Sequence, residues 1–163
     1  DYHIQMPMQS AFIGWKQEPD DYLEHILGHD RLEKLNPIRT FRDNNIVVSF
    51  GSDAPCTTPD PIAWMDRAVN NDNAGQAVSV QDALRMCTYN GAWAAFDEQE
   101  RGSLEAGKIA DMAVLSENPY TVTKDKLSGL RVERLYLSGK SYESCRESIL
   151  PMMLRGLTSR NKA

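Results

Sequence analysis

The apolar positions of the chain form two kinds of pattern, one continuous and one periodic, which alternate along its first hundred residues. Ile46-Val47-Val48-Ser49-Phe50 is a nearly unbroken apolar run that stops at Gly51 and is followed at once by Ser52-Asp53-Ala54-Pro55. A run without polar alternation marks a parallel strand covered on both faces, and the turn residues behind it end the strand. Asp53 is therefore expected just past the carboxyl end of a buried strand. A shorter run, His3-Ile4-Gln5-Met6-Pro7-Met8, predicts an earlier strand marked off by Pro7, then an irregular loop holding Phe12, Trp15 and Pro19. Between the strands the pattern turns helical. Asp20 and Asp21 precede apolar Tyr22, Leu23, Ile26 and Leu27, with Gly28 as a stop. Asn36-Pro37 reads as an N-cap followed by proline at the first helical position, opening a helix through Ile38 and Phe41 to the polar Asn44-Asn45 turn. The order is strand, helix, strand.

Beyond the second strand, Asp60-Pro61 repeats the cap-plus-proline start, and Ile62, Met65, Ala68 and Val69 fall at offsets of three and four on one apolar face. Ser79-Val80-Gln81-Asp82 has capping-box spacing ahead of Ala83, Leu84, Met86 and Cys87, and the small residues Ala92, Ala94 and Ala95 predict close packing against a neighbour. After Phe96 helical periodicity is lost. Gly102-Ser103-Leu104-Glu105-Ala106-Gly107-Lys108 brackets a short strand or turn, and Met112-Ala113-Val114-Leu115 is a strand that Asn118-Pro119 closes. Val132 to Leu137 alternates apolar and charged residues, the pattern of an antiparallel strand with one wet face. From Ser144 onward Ile149, Leu150, Met152, Met153, Leu154 and Leu157, interrupted by Pro151, predict a tail helix.

Composition narrows the class without deciding the function. At 163 residues the chain is one ordinary domain or a piece of something larger. With 41% hydrophobic and 25% charged residues it reads as soluble and globular, and no apolar segment approaches the roughly 20 residues of a membrane span. A formal charge of −5 with no basic cluster argues against nucleic acid or an anionic membrane as the main partner. The opening Asp1-Tyr2-His3-Ile4 lacks the basic start and apolar core of a secretory peptide and reads as mid-protein. Three widely spaced cysteines, Cys56, Cys87 and Cys145, indicate neither a disulfide framework nor a Cys-x-x-Cys zinc site, so a reducing, cytoplasmic setting is expected.

Asp53 is the residue best placed for chemistry, because in α/β folds the carboxyl edge of the sheet is where ligands gather. Its bare sequence context equally allows an Asx-type hydrogen bond that caps the Ala54-Pro55 turn. His25 and His29 have a spacing that can put two imidazoles on one helix face, but Gly28 lies between them and no third ligand is near, which favours surface or interhelical histidines. Cys56 has no partner base and reads as a small packed residue, and Asp111 as a structural residue at a strand entrance. Trp15, Trp64 and Pro55 are candidates to line a pocket, although Trp64 at helical spacing is as plausibly core.

Gly51-Ser52-Asp53-Ala54-Pro55, taken with Gly102-Ser103-Leu104-Glu105-Ala106-Gly107-Lys108-Ile109-Ala110-Asp111, resembles the carboxyl-terminal part of an amidohydrolase-superfamily enzyme. The branch is that of N-substituted formamide deformylases and D-aminoacylase-like hydrolases. Residues 79–95, with Thr88 and Asn90, resemble the helix preceding the second motif, and Gly28-His29-Asp30-Arg31 the linker before the last barrel strand. The resemblance implies an α/β chain: the carboxyl-terminal fragment of a (β/α)8 TIM barrel, its last two β/α units, followed by strands of a small β-sandwich. It divides the chain into the barrel end at 1–98, sandwich strands at 99–143 and the tail helix at 144–163. It also implies metal-dependent hydrolysis of carbon–nitrogen bonds in a small amide-like, N-acyl or N-formyl substrate. Asp53 would be both metal ligand and catalytic residue, with zinc or a similar divalent metal in the full-length enzyme and none bound by the fragment. The family's His-x-His pair, its carboxylated lysine or glutamate and its further histidines match nothing here, so an isolated chain is expected to be inactive and to associate with itself or with the missing amino-terminal part. Met6 stands where the family often has a polar residue, so the resemblance supplies no substrate contact there. A different reading is a non-catalytic binding or assembly module that reuses a half-barrel.

Overall fold

The computed structural model of the chain describes residues 4–13 and 20–142. The expected tail helix, Trp15 and Cys145 lie outside the described residues. Strands β1 (Gln5–Met8) and β2 (Val47–Phe50) pair in parallel, with Gln5 opposite Val47 and Met8 opposite Phe50. Parallel neighbours need a crossover rather than a hairpin, and here helices α1 (Asp20–Leu27), α2 (His29–Leu32) and α3 (Ile38–Asp43) lie along it. The buried run behaves as its pattern requires: Val48 is 1% and Ser49 5% exposed.

Helix α3 starts differently from its sequence signature. Asn36 is not the N-cap; it takes a left-handed φ of 50°, its carbonyl accepts from Ile38 N at 2.8 Å, and Pro37 stands at the cap. Asparagine tolerates that backbone region, so here the turn into the helix uses its main chain rather than its side-chain cap.

The next two starts match expectation. Asp60 caps α4 (Pro61–Val69), accepting from Ile62 N at 3.0 Å and Ala63 N at 3.4 Å, with Pro61 in the first turn. Ser79 caps α5 (Val80–Cys87), its Oγ accepting from Asp82 N at 3.0 Å. The apolar stretch that follows is two helices, α5 and α6 (Tyr89–Ala94), because Thr88 departs from helical angles (φ −123°, ψ −91°) and turns its hydroxyl back to Leu84 O at 2.8 Å.

The buried faces of these elements meet in one core: Ile38, Val48, Met65, Ala68, Val69, Ala83 and Met86 lie at its centre. A six-residue 3₁₀ turn, Lys124–Gly129, returns from the second half of the chain to pack on α4, adding Leu127 and Leu130 to that core. It is flanked by the antiparallel sheet β3 (Met112–Leu115), β4 (Val132–Leu137), β5 (Lys140–Tyr142), in that order. Strand β4 corrects the one-wet-face expectation. Val132 and Leu137 are exposed along with Glu133 and Arg134, while Leu135 and Tyr136, adjacent and hence on opposite faces, are half-buried. Among the described residues no second antiparallel sheet sandwiches this one, so alternation in sequence is not matched by alternation in burial.

Residues 102–108 form a turn rather than a strand. Lys108 Nζ donates to Ser103 Oγ at 2.6 Å and lies 5.6 Å from the Tyr89 ring centroid, holding the turn against α6. No helix among the described residues is long and apolar enough to cross a membrane.

Candidate functional site

The site begins where β2 ends. Gly51 N donates to Met8 O at 3.0 Å, continuing the parallel pairing one step past the strands, and the chain then leaves the sheet through Ser52 and Asp53. Asp53 is exposed with a left-handed φ of 54°, a region that aspartate enters more readily than most residues. Its carbonyl accepts from Cys56 N at 2.8 Å, closing a turn around the cis Ala54–Pro55 bond. The hydroxyl of Ser52, rather than the carboxylate of Asp53, caps that turn by accepting from Ala54 N at 3.1 Å. Thr57 Oγ1 donates to Ser52 O and fixes the far side of the loop. Both loop-fixing duties therefore fall to neighbours, and the Asp53 carboxylate makes no hydrogen bond or ion pair among the described residues. Of the two roles open in the sequence, the turn cap belongs to Ser52.

The strand beneath is anchored from behind. Asn90 Nδ2 on α6 donates to Val48 O at 2.7 Å, so the α6 helix holds the strand that presents Asp53. Beside the loop lies an open cleft of about 710 Å³, lined by Ala11, Ala54, Pro55, Cys56, Thr57, Thr58, Pro59, Ala63 and Arg67. Its walls are tied together. Trp64 Nε1 donates to Thr58 O at 3.2 Å, and Ser10 Oγ donates to Trp64 O at 3.0 Å. Pro55 thus lines a cleft as anticipated, while Trp64 braces the cleft from α4. Ser52 and Arg67 were not singled out in the sequence. A hydroxyl two residues before a turn amide is a recognisable ST-turn signal, whereas Arg67 sits among helical residues that carry no such mark.

The other candidates separate from this site. His29 is exposed, its Nδ1 3.2 Å from Glu24 Oε1 and its Nε2 3.4 Å from Glu33 Oε1, and α1 and α2 break at Gly28, between it and His25. Cys87 is partly buried against the core, desolvation pushes its thiol up to about 12, and its Sγ contacts Pro61 O at 3.6 Å, the setting of an inert packed cysteine. Cys56 is exposed in the cleft wall rather than packed. Asp111 is structural: Oδ1 accepts from Ser138 N at 2.8 Å and Oδ2 from Arg101 Nη1 at 3.1 Å, tying the turn between β4 and β5 to the start of β3.

A catalytic divalent ion takes three protein ligands as a rule. An exposed, unengaged carboxylate at a strand end suits one of them, and no cluster of three or more His, Cys, Asp or Glu among the described residues could hold an ion. Asp53 fits one ligand position, and the described residues do not supply a full set.

Residues 3–142 match the model of the amidohydrolase family. An N-substituted formamide deformylase of Arthrobacter pascens is 36% identical over 136 residues, 79% of this chain but 23% of that protein. YtcJ of Bacillus subtilis (strain 168), named for amidohydrolase character, is 27% identical over 124 residues, 70% of this chain and 23% of that protein. Among solved structures, an uncharacterized metal-dependent hydrolase from Pyrococcus furiosus superposes with a TM-score of 0.62 at 26% identity, over 73% of this chain and 25% of that one. The chain spans less than a quarter of the length of each of these two curated relatives.

Proposed function

The chain belongs to the amidohydrolase family, and from that premise we propose that it forms the last two β/α units and following sandwich strands of a metal-dependent hydrolase of carbon–nitrogen bonds. The observation that carries this reading is the Asp53 carboxylate, exposed at the carboxyl end of a buried parallel strand and relieved of structural duty by Ser52. In this reading residues 1–98 belong to the barrel and 99–143 to the sandwich, in a cytoplasmic protein. A divalent metal, zinc or a similar ion, would when bound acidify a water and polarise the scissile carbonyl. Asp53 would supply one ligand oxygen, accept the proton from the attacking water and return it to the leaving nitrogen, acting as general base and then general acid. The similarity to an N-substituted formamide deformylase supports an N-formyl or N-acyl amide as substrate. The remaining ligands would come from protein outside these 163 residues, since the match covers only 23% of that relative.

The test has two arms. The 163-residue chain alone is expected to bind no stoichiometric zinc and to hydrolyse no N-formyl amide. A longer chain, expressed from the coding sequence extended upstream of Asp1, is expected to do both and to lose hydrolysis in Asp53→Asn. Activity of the short chain, or an unaffected long-chain Asp53→Asn, would overturn the reading.

A non-catalytic assembly module draws support from a different observation. Tyr22, Leu23 and Ile26 leave the apolar face of α1 open, and Val132, Leu137 and Tyr142 are exposed apolar side chains of the sheet. Both readings predict self-association or docking with further protein of the same origin; a stable monomer in sedimentation, without dye-accessible apolar surface, would count against both.

A further inference from the structure

We propose that Asn90 is a positioning residue for Asp53: its amide holds the free edge of β2 and so fixes where the strand delivers its aspartate. The proposal rests on the reading of Asp53 as metal ligand and acid–base group. The backbone groups of a strand point alternately to its two edges. Val47 N donates to Ile4 O at 3.1 Å and Gly51 N to Met8 O at 3.0 Å, so residues 47, 49 and 51 face β1. Val48 therefore faces the opposite edge, where no strand pairs among the described residues. Val48 is 1% exposed, and a buried carbonyl left without a donor is costly. Asn90 Nδ2 reaches that carbonyl at 2.7 Å. A side-chain amide thus stands where the N–H of a neighbouring strand would stand, five residues before Asp53.

Asn90 is itself held in place. It is the second residue of α6, and the turn of residues 102–108 lies against that helix at its neighbours: a Cβ on Gly102 would stand 2.6 Å from Ala92 Cβ and 3.1 Å from Tyr89 Cα. Lys108 Nζ, bonded to Ser103 Oγ at 2.6 Å, closes the turn and lies 5.6 Å from the Tyr89 ring centroid. The glycine-bracketed turn therefore pins the stretch of α6 from which the Asn90 amide reaches β2, and the second sequence motif acts on the first through one side chain. Misplacing a reacting group by about 1 Å can cost on the order of a hundredfold in rate. A strand end that carries such a group must be held more closely than folding alone requires, and the open edge is the side of β2 that β1 does not hold.

The variants are Asn90→Asp, which keeps the shape but has no donor at neutral pH, Asn90→Gln, which keeps a donor, and Asn70→Ala, which removes a bond of the same kind, Asn70 Nδ2 to Lys124 O, at the far end of α4. Amide hydrogen exchange is read on the 163-residue chain. Asn90→Asp is expected to speed exchange of the Gly51 amide at least about tenfold while that of Met65 in α4 stays within about twofold, and Asn70→Ala to leave the ratio of the two as in the parent. Steady-state hydrolysis of an N-formyl amide is read on the chain extended upstream of Asp1. There Asn90→Asp is expected to lower kcat about tenfold or more with KM within about twofold, Asn90→Gln to recover part of the loss, and Asn70→Ala to change neither. An unmoved Gly51 amide, an unchanged kcat, an Asn90→Gln chain as impaired as Asn90→Asp, or an equal loss in Asn70→Ala would each overturn the assignment. Failure of the hydrolase reading shows separately, as a long chain that cleaves nothing with Asn90 intact, and the exchange ratio then decides by itself whether Asn90 holds the strand end.

Discussion

Gly102 shows how narrowly one residue can be specified. Its φ of +88° is a conformation that side chains resist, and a Cβ built on it would stand 2.6 Å from Ala92 Cβ and 3.1 Å from the Tyr89 backbone. The turn of residues 102–108 can therefore lie against α6 only because no side chain intervenes. Gly102→Ala is expected to cost about 2–4 kcal/mol, combining backbone strain with overpacking, read as a lowered denaturant midpoint at unchanged slope. An exposed glycine such as Gly107, which has open space around it, should suffer only the strain. The same scale shows what the sequence disclosed of the site. Asp53 could be placed from the run before it, since a continuous apolar strand ending in turn residues fixes where its carboxyl edge falls. That Ser52 would take the capping bond, and so leave Asp53 open, could not be read, because the sequence sets two oxygen-bearing side chains side by side before the same Ala54-Pro55 turn.

Among elements, the join between α3 and α5 has a pH dependence whose sign can be worked out. Arg42 Nη1 donates to Asp82 Oδ2 at 2.5 Å and Nη2 to Asp43 Oδ1 at 2.6 Å, and the same Asp82 takes part in the Ser79 cap. Partial burial pushes the Asp82 carboxyl up, but hydrogen bonds from Ser79 and Arg42 outweigh it and leave it below its ordinary value of 3.8. The Arg42 guanidinium is raised, chiefly by its bond to Asp43. A carboxylate held below its unfolded value stabilises the fold fully above that value and ceases to do so as the pH falls through the depressed one. The stability from this join should therefore be intact at neutral pH and decline below about pH 4, near the ordinary carboxylate value. Arg42→Gln is expected to cost roughly 1 kcal/mol at pH 7, since both partners are about one-third exposed, and to flatten the acid limb of the melting curve. An acid limb as steep as that of the parent chain would refute the assignment. Elements differed in how far they could be read. The caps Asp60 and Ser79 were legible because a side-chain oxygen bonding nearby amides is a local device. Asn36 misled because the turn before α3 uses its backbone, and 79–95 read as one helix because Thr88 offers no breaker signal of the glycine or proline kind.

At the scale of the whole molecule, the parallel βαβ unit and the antiparallel sheet are joined through the 3₁₀ turn of Lys124–Gly129, which no periodicity announced. Leu127 is 0% exposed and Leu130 5%. In a six-residue polar stretch, one leucine carries no pattern, and its burial is decided by where the preceding strand delivers it. Asn70 Nδ2 fixes that delivery by donating to Lys124 O at 2.8 Å, so the end of α4 holds the turn that covers it. The consequence is energetic coupling between the half of the chain that presents Asp53 and the half that carries the second sequence motif. Leu127→Ala should cost about 2–5 kcal/mol, the range for truncating a fully buried leucine. The informative readout is hydrogen exchange. If the two halves form one cooperative unit, Leu127→Ala accelerates exchange of the Val48 and Ser49 amides in β2 as much as that of the Ala113 and Val114 amides in β3. If only β3 and β4 lose protection, the halves are separate folding units, and the 3₁₀ turn is a lid on α4 rather than the joint between them. Exchange spread across both sheets would mean that the strand beneath Asp53 owes part of its rigidity to residues about eighty positions further along the chain.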